Sequence, residues 1–210
     1  WCCINDNATS RSIYTLGHSN HSLEAFLELL KGPSIDVVVD TRTQPYSAYS
    51  PHFTRRPLED ALTATGFKYL FLGKELGGRP EGNEFYDDDG RVLYYQLAET
   101  SLFLDGIARL ENGMANYRIA LLCSEEDPQV CHRQLLVGRV LSRRGVVIHH
   151  IRGDERIETI TPEAAAAKRA QTFFSFGEDN TWKSLRSVLP KKAPPSSSND
   201  SADTDYHSTT

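Results

Sequence analysis

Residues 117–151 read YRIALLCSEEDPQVCHRQLLVGRVLSRRGVVIHHI, and this stretch decides the fold of the chain. Apolar runs at 119–122 and 146–151 predict two strands, and the segment between them has the pattern of a helix. A strand, a helix and a strand within this length form a βαβ unit, whose crossover requires the two strands to be parallel. The stretch therefore predicts a parallel sheet.

The helix between these strands is marked at both ends. Asp127 can accept hydrogen bonds from free amides, and Pro128 stands where no N–H is needed, so the pair predicts a helix start. Arg143 and Arg144 in the last turn, followed by Gly145, predict its end. One helix is therefore expected from about residue 128 to residue 143.

The first part of this helix carries Cys131, His132 and Arg133 beside the end of a strand that finishes in Cys123. A thiol, an imidazole and a guanidinium make this the most unusual polar cluster in the sequence. A position near the first turn of a helix, next to His132 and Arg133, lowers the pKa of a thiol. The cluster is predicted to be a functional site.

The alternation of strands and helices continues along the rest of the chain. Strands are predicted near residues 13–16, 35–39, 67–72, 117–123 and 146–151, with helices before, between and after them. Continuous apolar runs such as residues 35–39 are typical of parallel strands buried on both faces. We expect an α/β fold of three layers, with a mostly parallel sheet of about five strands and helices on both faces.

Composition limits the class of protein. The chain has 210 residues, 39% of them hydrophobic, and a net charge of −5. This is enough for one domain with a core, and the charge does not favour general coating of nucleic acid. No run reaches the roughly 20 apolar residues that span a bilayer, so no membrane partner is predicted. Four cysteines without a regular framework favour a reduced, intracellular protein, cytoplasmic with the nucleus left open.

Three of the predicted strands end in polar residues. In an open parallel sheet, ligands bind outside the carboxyl ends of the strands. Because parallel strands end at the same edge, these residues are expected to converge: Gly17-His18-Ser19, Asp40-Thr41-Arg42 and Cys123-Ser124-Glu125.

Four ordered motifs carry a family resemblance. They are GHSN at 17–20, VVDTRTQPYS at 38–47, KYLFLGKELGGRP at 68–80 and LLCSEEDPQVCHR at 121–133. Together they resemble the DUF488 family, a domain of unknown function. The resemblance implies an α/β fold and a polar pocket built by the motifs, without an established reaction. The family more often has Val where this chain has Thr41.

The resemblance gives domain boundaries and a set of site residues. Residues 12–152 are expected to form the DUF488-like core of a single α/β domain, extended by 153–189, with disordered ends at 1–11 and 190–210. The catalytic candidates are Cys131, Asp40, Glu125 and His132. The substrate-binding candidates are His18, Ser19, Arg42, Ser47, Gly77, Gly78 and Arg133.

Several of these residues have a structural interpretation as well. Cys131 is either a nucleophile or a small buried hydrophobic residue. Arg42 and Arg133 either bind phosphate or carboxylate through two nitrogens, or form salt bridges with Asp40 and Glu125. His18 and His132 are equally well explained as hydrogen-bonded structural groups.

A metal site from Cys123, Cys131 and His132 is the weaker interpretation, since their spacing matches no zinc pattern and a fourth ligand is not identified. No metal and no cofactor are therefore predicted.

Two functions fit these residues. The first is an enzyme that acts on a small anionic substrate, a nucleotide or another phosphorylated compound. The alternative is a non-catalytic module for a nucleotide or a nucleic acid. In that case bases would stack on the loop aromatics beside two arginines. These loop residues are Tyr46, Tyr49, His52, Phe53, Arg55 and Arg56.

Overall fold

The computed structural model describes residues 11–176 and 182–188, and these contain one six-stranded sheet. The order across the sheet is β3-β2-β4-β1-β5-β6. All neighbouring pairs are parallel except β5 and β6. The strands are β1 (Ser12–Gly17), β2 (Val37–Asp40), β3 (Lys68–Phe71), β4 (Ile119–Cys123), β5 (Val147–Ile151) and β6 (Ile157–Ile160). The mostly parallel α/β fold is confirmed.

Helices cover both faces of this sheet. They are α1 (Leu23–Lys31), α2 (Arg55–Ala64), α3 (Gly73–Leu76), α4 (Tyr94–Leu97), α5 (Ser101–Met114), α6 (Arg139–Arg143) and α7 (Pro162–Phe176). Short 3₁₀ turns lie at Pro51–Phe53, Asn83–Phe85 and Pro128–Val130. None of the helices in the described ranges is both long and apolar enough to cross a membrane.

The central strands divide their side chains between two cores. In β2, Val37 and Val39 pack on the face covered by α5 and α6, while Val38 packs on the face covered by α1 and α2. Each Val, Leu or Ile buried in this way contributes about 1.5–3 kcal/mol. Burial on both faces is why these strands read as continuous apolar runs.

The sixth strand was not predicted. β6 runs antiparallel to β5 through a tight turn in which Glu155 has φ of 68° and Arg152 N–H donates to Arg156 O at 2.8 Å. Its residues alternate between exposed and half-buried, and Ile157 is 47% exposed. A short edge strand of this kind lacks the apolar run by which the buried strands were recognised.

The prediction of a single helix over residues 128–143 is wrong. The chain makes a 3₁₀ turn at Pro128–Val130, becomes extended at Cys131 (φ −105°, ψ 144°), and then forms a π-helical turn at Arg133–Gly138 before α6. Asp127 caps only the short first turn, by accepting from Gln129 N at 3.0 Å. Cys131 thus lies at a break between two helical segments, and π turns often mark functional positions.

The segment 182–188 packs against the domain. Trp182 Nε1 donates to Leu135 O at 2.9 Å, and the guanidinium groups of Arg139 and Arg143 lie over its ring. Ser184 N–H donates to Val92 O at 2.9 Å. The ends predicted to be disordered, apart from Arg11, lie outside the described residues.

Candidate functional site

The three polar strand ends converge at one edge of the sheet. β2, β4 and β1 are neighbours, so Asp40, Cys123 and Gly17 end adjacent parallel strands. Backbone hydrogen bonds continue beyond the strands: His18 N–H donates to Cys123 O at 2.9 Å and Thr41 N–H donates to Leu122 O at 3.1 Å. The topology therefore brings these segments together as the sequence predicted.

A cavity of about 420 Å³ opens beside the ends of β2 and β4. Four of the predicted site residues line it: Arg42, Gly78, Glu125 and His132. The other predicted site residues are not among its lining: His18, Ser19, Asp40, Ser47, Gly77, Cys131 and Arg133. Asp40 and Arg133, which the sequence gives as catalytic and substrate-binding candidates, are fully buried and form no part of this cavity.

Two thiols, a carboxyl group and an imidazole meet beside this cavity, and all of them except the Cys131 thiol belong to residues of its wall. Cys131 Sγ lies 2.9 Å from Cys123 Sγ. Glu125 Oε2 lies 2.7 Å from Cys123 Sγ and 3.2 Å from Cys131 Sγ. His132 Nδ1 completes the group, at 3.5 Å from Cys123 Sγ and 3.7 Å from Cys131 Sγ. We call these four residues the thiol cluster.

Charge is unevenly distributed within the thiol cluster. Burial raises the pKa of both thiols. For Cys123 the hydrogen bond from Cys131 and the nearby His132 outweigh burial, so its pKa lies below the usual value. Burial and the Cys123 thiol raise the pKa of Cys131. Burial and the charge of Cys123 also raise the pKa of Glu125. Burial lowers the pKa of His132, but the nearby Cys123 outweighs burial, so the pKa of His132 lies above its usual value. Of the two thiols, Cys123 therefore loses its proton more readily.

This arrangement changes which cysteine a ligand meets. Cys123 lines the cavity and Cys131 does not, although both side chains are buried, at 2% and 1% exposed. The catalytic role predicted for Cys131 stays a prediction, but Cys123 is the thiol on the cavity side.

The ring of His132 is held in place from two sides. Nε2 lies 3.1 Å from Thr41 O, which can only accept, so Nε2 carries a proton. A Cβ added to Gly78 would lie 2.7 Å from His132 Cγ, so the glycine permits the close approach of the loop to the ring. The other ring nitrogen, Nδ1, therefore faces the two sulfurs.

Arg42 and Asp40 form a buried pair. Arg42 Nε and Nη2 donate to the two carboxylate oxygens of Asp40 at 2.9 and 2.6 Å, and Nη1 donates to Phe53 O at 2.7 Å. Tyr69 O–H also donates to Asp40 at 2.8 Å. Burial and the charge of Asp40 raise the pKa of Tyr69. Asp40 therefore orients Arg42 rather than facing the cavity.

Arg133 does not form the salt bridge considered from the sequence. Its guanidinium donates to the backbone carbonyls of Glu125 and, at 2.7 Å, of Glu126. The loop that carries Glu125 is fixed from its other side by Gly17, where an added Cβ would lie 1.8 Å from Glu125 O. Arg133 and Gly17 thus position this loop.

The remaining predicted residues support the same edge of the sheet. His18 stacks on Phe53, with ring centroids 4.4 Å apart, and burial lowers its pKa to about 4. Ser19 N–H donates to Ser124 O at 3.0 Å. Ser47 Oγ accepts from Ser50 N–H at 3.1 Å within its own loop. Gly77 packs against Thr43, so that a Cβ there would lie 2.3 Å from Thr43 Oγ1.

Sequence reasoning missed several residues of the cavity. Cys123 is not among the catalytic or substrate-binding candidates from the sequence, although its place at the end of β4 beside the Cys131 motif is a usable signal. Arg79 stands inside the quoted GGRP motif and was not singled out. Arg186 comes from the segment 182–188, which no motif covers. Only the fold brings that segment to the cavity.

A second cavity, of about 660 Å³, lies between β5, β6, the π-helical turn and α7. It is larger but contains none of the predicted site residues. Its wall includes His150, whose Nδ1 lies 2.7 Å from Thr15 Oγ1. The reactive side chains lie at the smaller cavity, which is therefore the candidate site.

The loop aromatics that the alternative function would use to stack bases are divided between buried and exposed positions. Phe53 is buried, and His52 Nε2 lies 3.1 Å from His21 O. Tyr46 and Tyr49 are 73% and 101% exposed, and Tyr46 lines the cavity. Arg55 lies over the ring of Phe71. Only Tyr46 is both exposed and beside the candidate site.

Comparison with known proteins identifies one family. A family model described as "Domain of unknown function DUF488" matches residues 22–140, more than half of the chain. The match includes the motifs around Asp40, Gly78 and Cys131 but begins after Gly17 and His18. No curated protein and no solved structure matches the chain.

Proposed function

Because the chain belongs to the DUF488 family, whose description names no function, we propose from the site alone that it is an enzyme acting on a small anionic substrate, a nucleotide or another phosphorylated compound. One observation carries this proposal. The cavity at the ends of β2 and β4 combines three arginines, Arg42, Arg79 and Arg186, with the reactive groups of the thiol cluster.

Two of these arginines are available to an anion. Arg42 is already neutralised by Asp40. Arg79 and Arg186 are exposed, and their guanidinium groups have no hydrogen-bond acceptor among the residues that the structure describes. A guanidinium binds phosphate or carboxylate through two parallel hydrogen bonds. The anion-binding role assigned to Arg42 and Arg133 from the sequence therefore passes to Arg79 and Arg186.

Tyr46 favours a nucleotide among the phosphorylated compounds. Its ring is 73% exposed at the rim of the cavity. Stacking of a base on an aromatic ring contributes about 1–3 kcal/mol and does not depend strongly on which base it is. Tyr46 lines the same cavity as Arg79 and Arg186, so one ligand that carries a phosphate and a base can use all three.

The thiol cluster favours catalysis over plain binding. Binding an anion requires positive charge, which the Glu125 carboxyl group and the two thiols do not provide. Burying these groups also costs free energy, and a module that only binds an anion does not require them. Cys123, Glu125 and His132 are the groups that face the cavity, and Cys131 contacts Cys123 and Glu125 from behind them. Two free thiols fit the intracellular location expected from the sequence.

Ligand binding by arginine variants tests the proposal. Affinities for phosphate and for nucleoside mono-, di- and triphosphates should be measured by calorimetry for wild type, Arg79→Ala, Arg186→Ala and Arg156→Ala. Arg156 is an exposed control on the β5–β6 turn, paired with Asp154. Loss of a hydrogen bond to a charged group costs about 1.5–3 kcal/mol, so each cavity variant should bind at least about tenfold more weakly.

Three results have distinct meanings. Equal affinity in all four proteins, or no binding by any compound, would overturn the proposal. Binding that depends on Arg79 and Arg186 and is followed by conversion of the ligand supports an enzyme. The same binding without conversion by any of the compounds would support the non-catalytic module instead.

A further inference from the structure

We propose that the thiol cluster is a binding site for one zinc ion. Cys123, Cys131, Glu125 and His132 each offer one ligand atom, and the four atoms all lie within 4.8 Å of one another. Thiolate sulfur, imidazole nitrogen and carboxylate oxygen are the ligands that zinc takes in proteins. The sequence identified only three of these ligands, and the fold supplies the fourth, Glu125.

The distances agree with tetrahedral geometry after a small movement. With zinc bonds of about 2.3 Å to sulfur and about 2.0 Å to nitrogen or oxygen, the ligand atoms lie about 3.3–3.8 Å apart. His132 Nδ1 already has this spacing from both sulfurs, at 3.5 and 3.7 Å. The sulfurs are 2.9 Å apart, and Cys123 Sγ is 2.7 Å from Glu125 Oε2. These two pairs need to separate by less than about 1 Å, which small χ rotations provide. The ligand atoms of Glu125 and His132 lie within 4.8 Å of each other and need to come closer.

The surroundings orient the ligand atoms as they do in zinc sites. Histidine ligands usually donate their other ring N–H to a carbonyl or carboxylate, and His132 Nε2 lies 3.1 Å from Thr41 O. The backbone N–H of Arg133 donates to Cys131 Sγ at 3.5 Å. Gly17 and Arg133 fix the backbone of Glu125. The ligands are thus held by contacts outside the cluster.

Charge balance favours a divalent cation. Two thiolates and a carboxylate would carry three negative charges in a place where both cysteines are at most 2% exposed. Without a metal ion, protons must remove most of this charge, and metal binding releases such protons. Two sulfur ligands with one imidazole select zinc over magnesium and calcium, which prefer oxygen.

The position of the ion deepens the proposed function. Cys123, Glu125 and His132 lie on the cavity wall, so the ion would border the cavity that Arg79 and Arg186 also line. Catalytic zinc sites keep three protein ligands and one open position. Glu125 is the exposed ligand and is the one that a substrate anion would displace. This last step rests on the proposed function, whereas the ion site itself does not.

Metal content is the first test. The full chain should carry Cys2→Ser and Cys3→Ser, so that Cys123 and Cys131 are its only thiols. It should be purified without chelator and analysed by mass spectrometry, with about one zinc per chain expected. After exchange, cobalt should give a thiolate charge-transfer band and strong visible absorption typical of tetrahedral sites. Folded protein that holds less than about a tenth of an ion and shows no cobalt band overturns the proposal.

Variants then identify the ligands. Cys123→Ser and Cys131→Ser should each weaken the charge-transfer band, because one thiolate is lost. Glu125→Gln should lower cobalt affinity at least about tenfold. Glu126→Gln is the matched control, since that neighbouring carboxylate binds Gly153 N at 2.8 Å and contacts His21. Should the cysteine variants not fold, the two glutamate variants still decide, and equal cobalt affinity in both overturns the proposal.

The two proposals can fail separately. If the thiol cluster binds an ion but the affinity for nucleotides is unchanged in Arg79→Ala, only the proposed substrate is ruled out. If nucleotide binding depends on Arg79 but the protein holds no ion, only the zinc site is ruled out. A disulfide between Cys123 and Cys131 in freshly purified protein that holds no metal would also rule out the zinc site.

Discussion

The guanidinium of Arg42 makes two hydrogen bonds to the carboxylate of Asp40 while both side chains are at least 96% buried. Removing one partner of such a pair leaves an uncompensated buried charge, which costs about 3–5 kcal/mol. Arg42→Met should therefore lower the free energy of unfolding by about this amount in urea titrations.

A surface pair provides the control for this prediction. Arg109 lies 2.7 Å from Glu75 with its side chain 49% exposed. Exposed pairs contribute about 0–1 kcal/mol, so Arg109→Met should change stability little. Equal losses in Arg42→Met and Arg109→Met would show that the buried pair is not what holds this edge together.

The two sulfurs of the thiol cluster predict a second behaviour. Cys123 Sγ and Cys131 Sγ are 2.9 Å apart, and a disulfide requires about 2.05 Å. In the Cys2→Ser, Cys3→Ser protein, a mild oxidant should join them after metal has been removed by a chelator. Intact mass would fall by two hydrogens, and Cys131→Ser would prevent it. Zinc should slow this oxidation, since bound thiolates are no longer free to react, and equal rates with and without zinc would contradict that protection.

Gly17 is predicted to be essential to the site loop. An added Cβ would lie 1.8 Å from Glu125 O, so Gly17→Ala must displace either β1 or the loop. Overpacking of this kind typically costs about 1–3 kcal/mol. Gly32→Ala is the control, because its Cβ would meet no atom within 4 Å and its backbone is helical. A thermal melt should show a clear loss for Gly17→Ala and little change for Gly32→Ala.

The sheet and the place of the site were predictable because both follow from patterns along the chain. The apolar run that contains Val37, Val38 and Val39 indicates a strand buried on two sides. Parallel strands that end in Asp40 and Cys123 must meet at one edge. Neither inference depends on the direction in which any side chain points.

The roles of individual charged residues were not predictable in this way. Arg42 and Arg133 read alike in the sequence, as guanidinium groups at strand or helix ends. The structure uses one to pair with Asp40 and the other to hold the carbonyls of Glu125 and Glu126. Which acceptors a buried arginine meets depends on loops distant in sequence, and Arg186 reaches the cavity through such a segment.

Buried neutral histidines predict that the protein loses stability in mild acid. Burial lowers the pKa of His150 to about 3 and that of His18 to about 4, against about 6.5 in the unfolded chain. Below pH 6.5 the unfolded chain therefore binds protons that the folded protein does not, and stability falls as pH decreases towards these values. Between pH 7 and pH 5 each group should contribute a loss of about 2 kcal/mol.

A double variant isolates the contribution of His150. Its Nδ1 lies 2.7 Å from Thr15 Oγ1, so Thr15→Val with His150→Leu removes both polar partners and leaves neither unsatisfied. The free energy of unfolding, measured in urea at pH 7 and pH 5, should fall between these pH values by about 2 kcal/mol less in the double variant than in wild type. The unfolding free energy at pH 7 checks that the variant is folded. If the two proteins lose the same stability between these pH values, His150 is not neutral in the folded protein, because a histidine already protonated there would add nothing to the acid dependence.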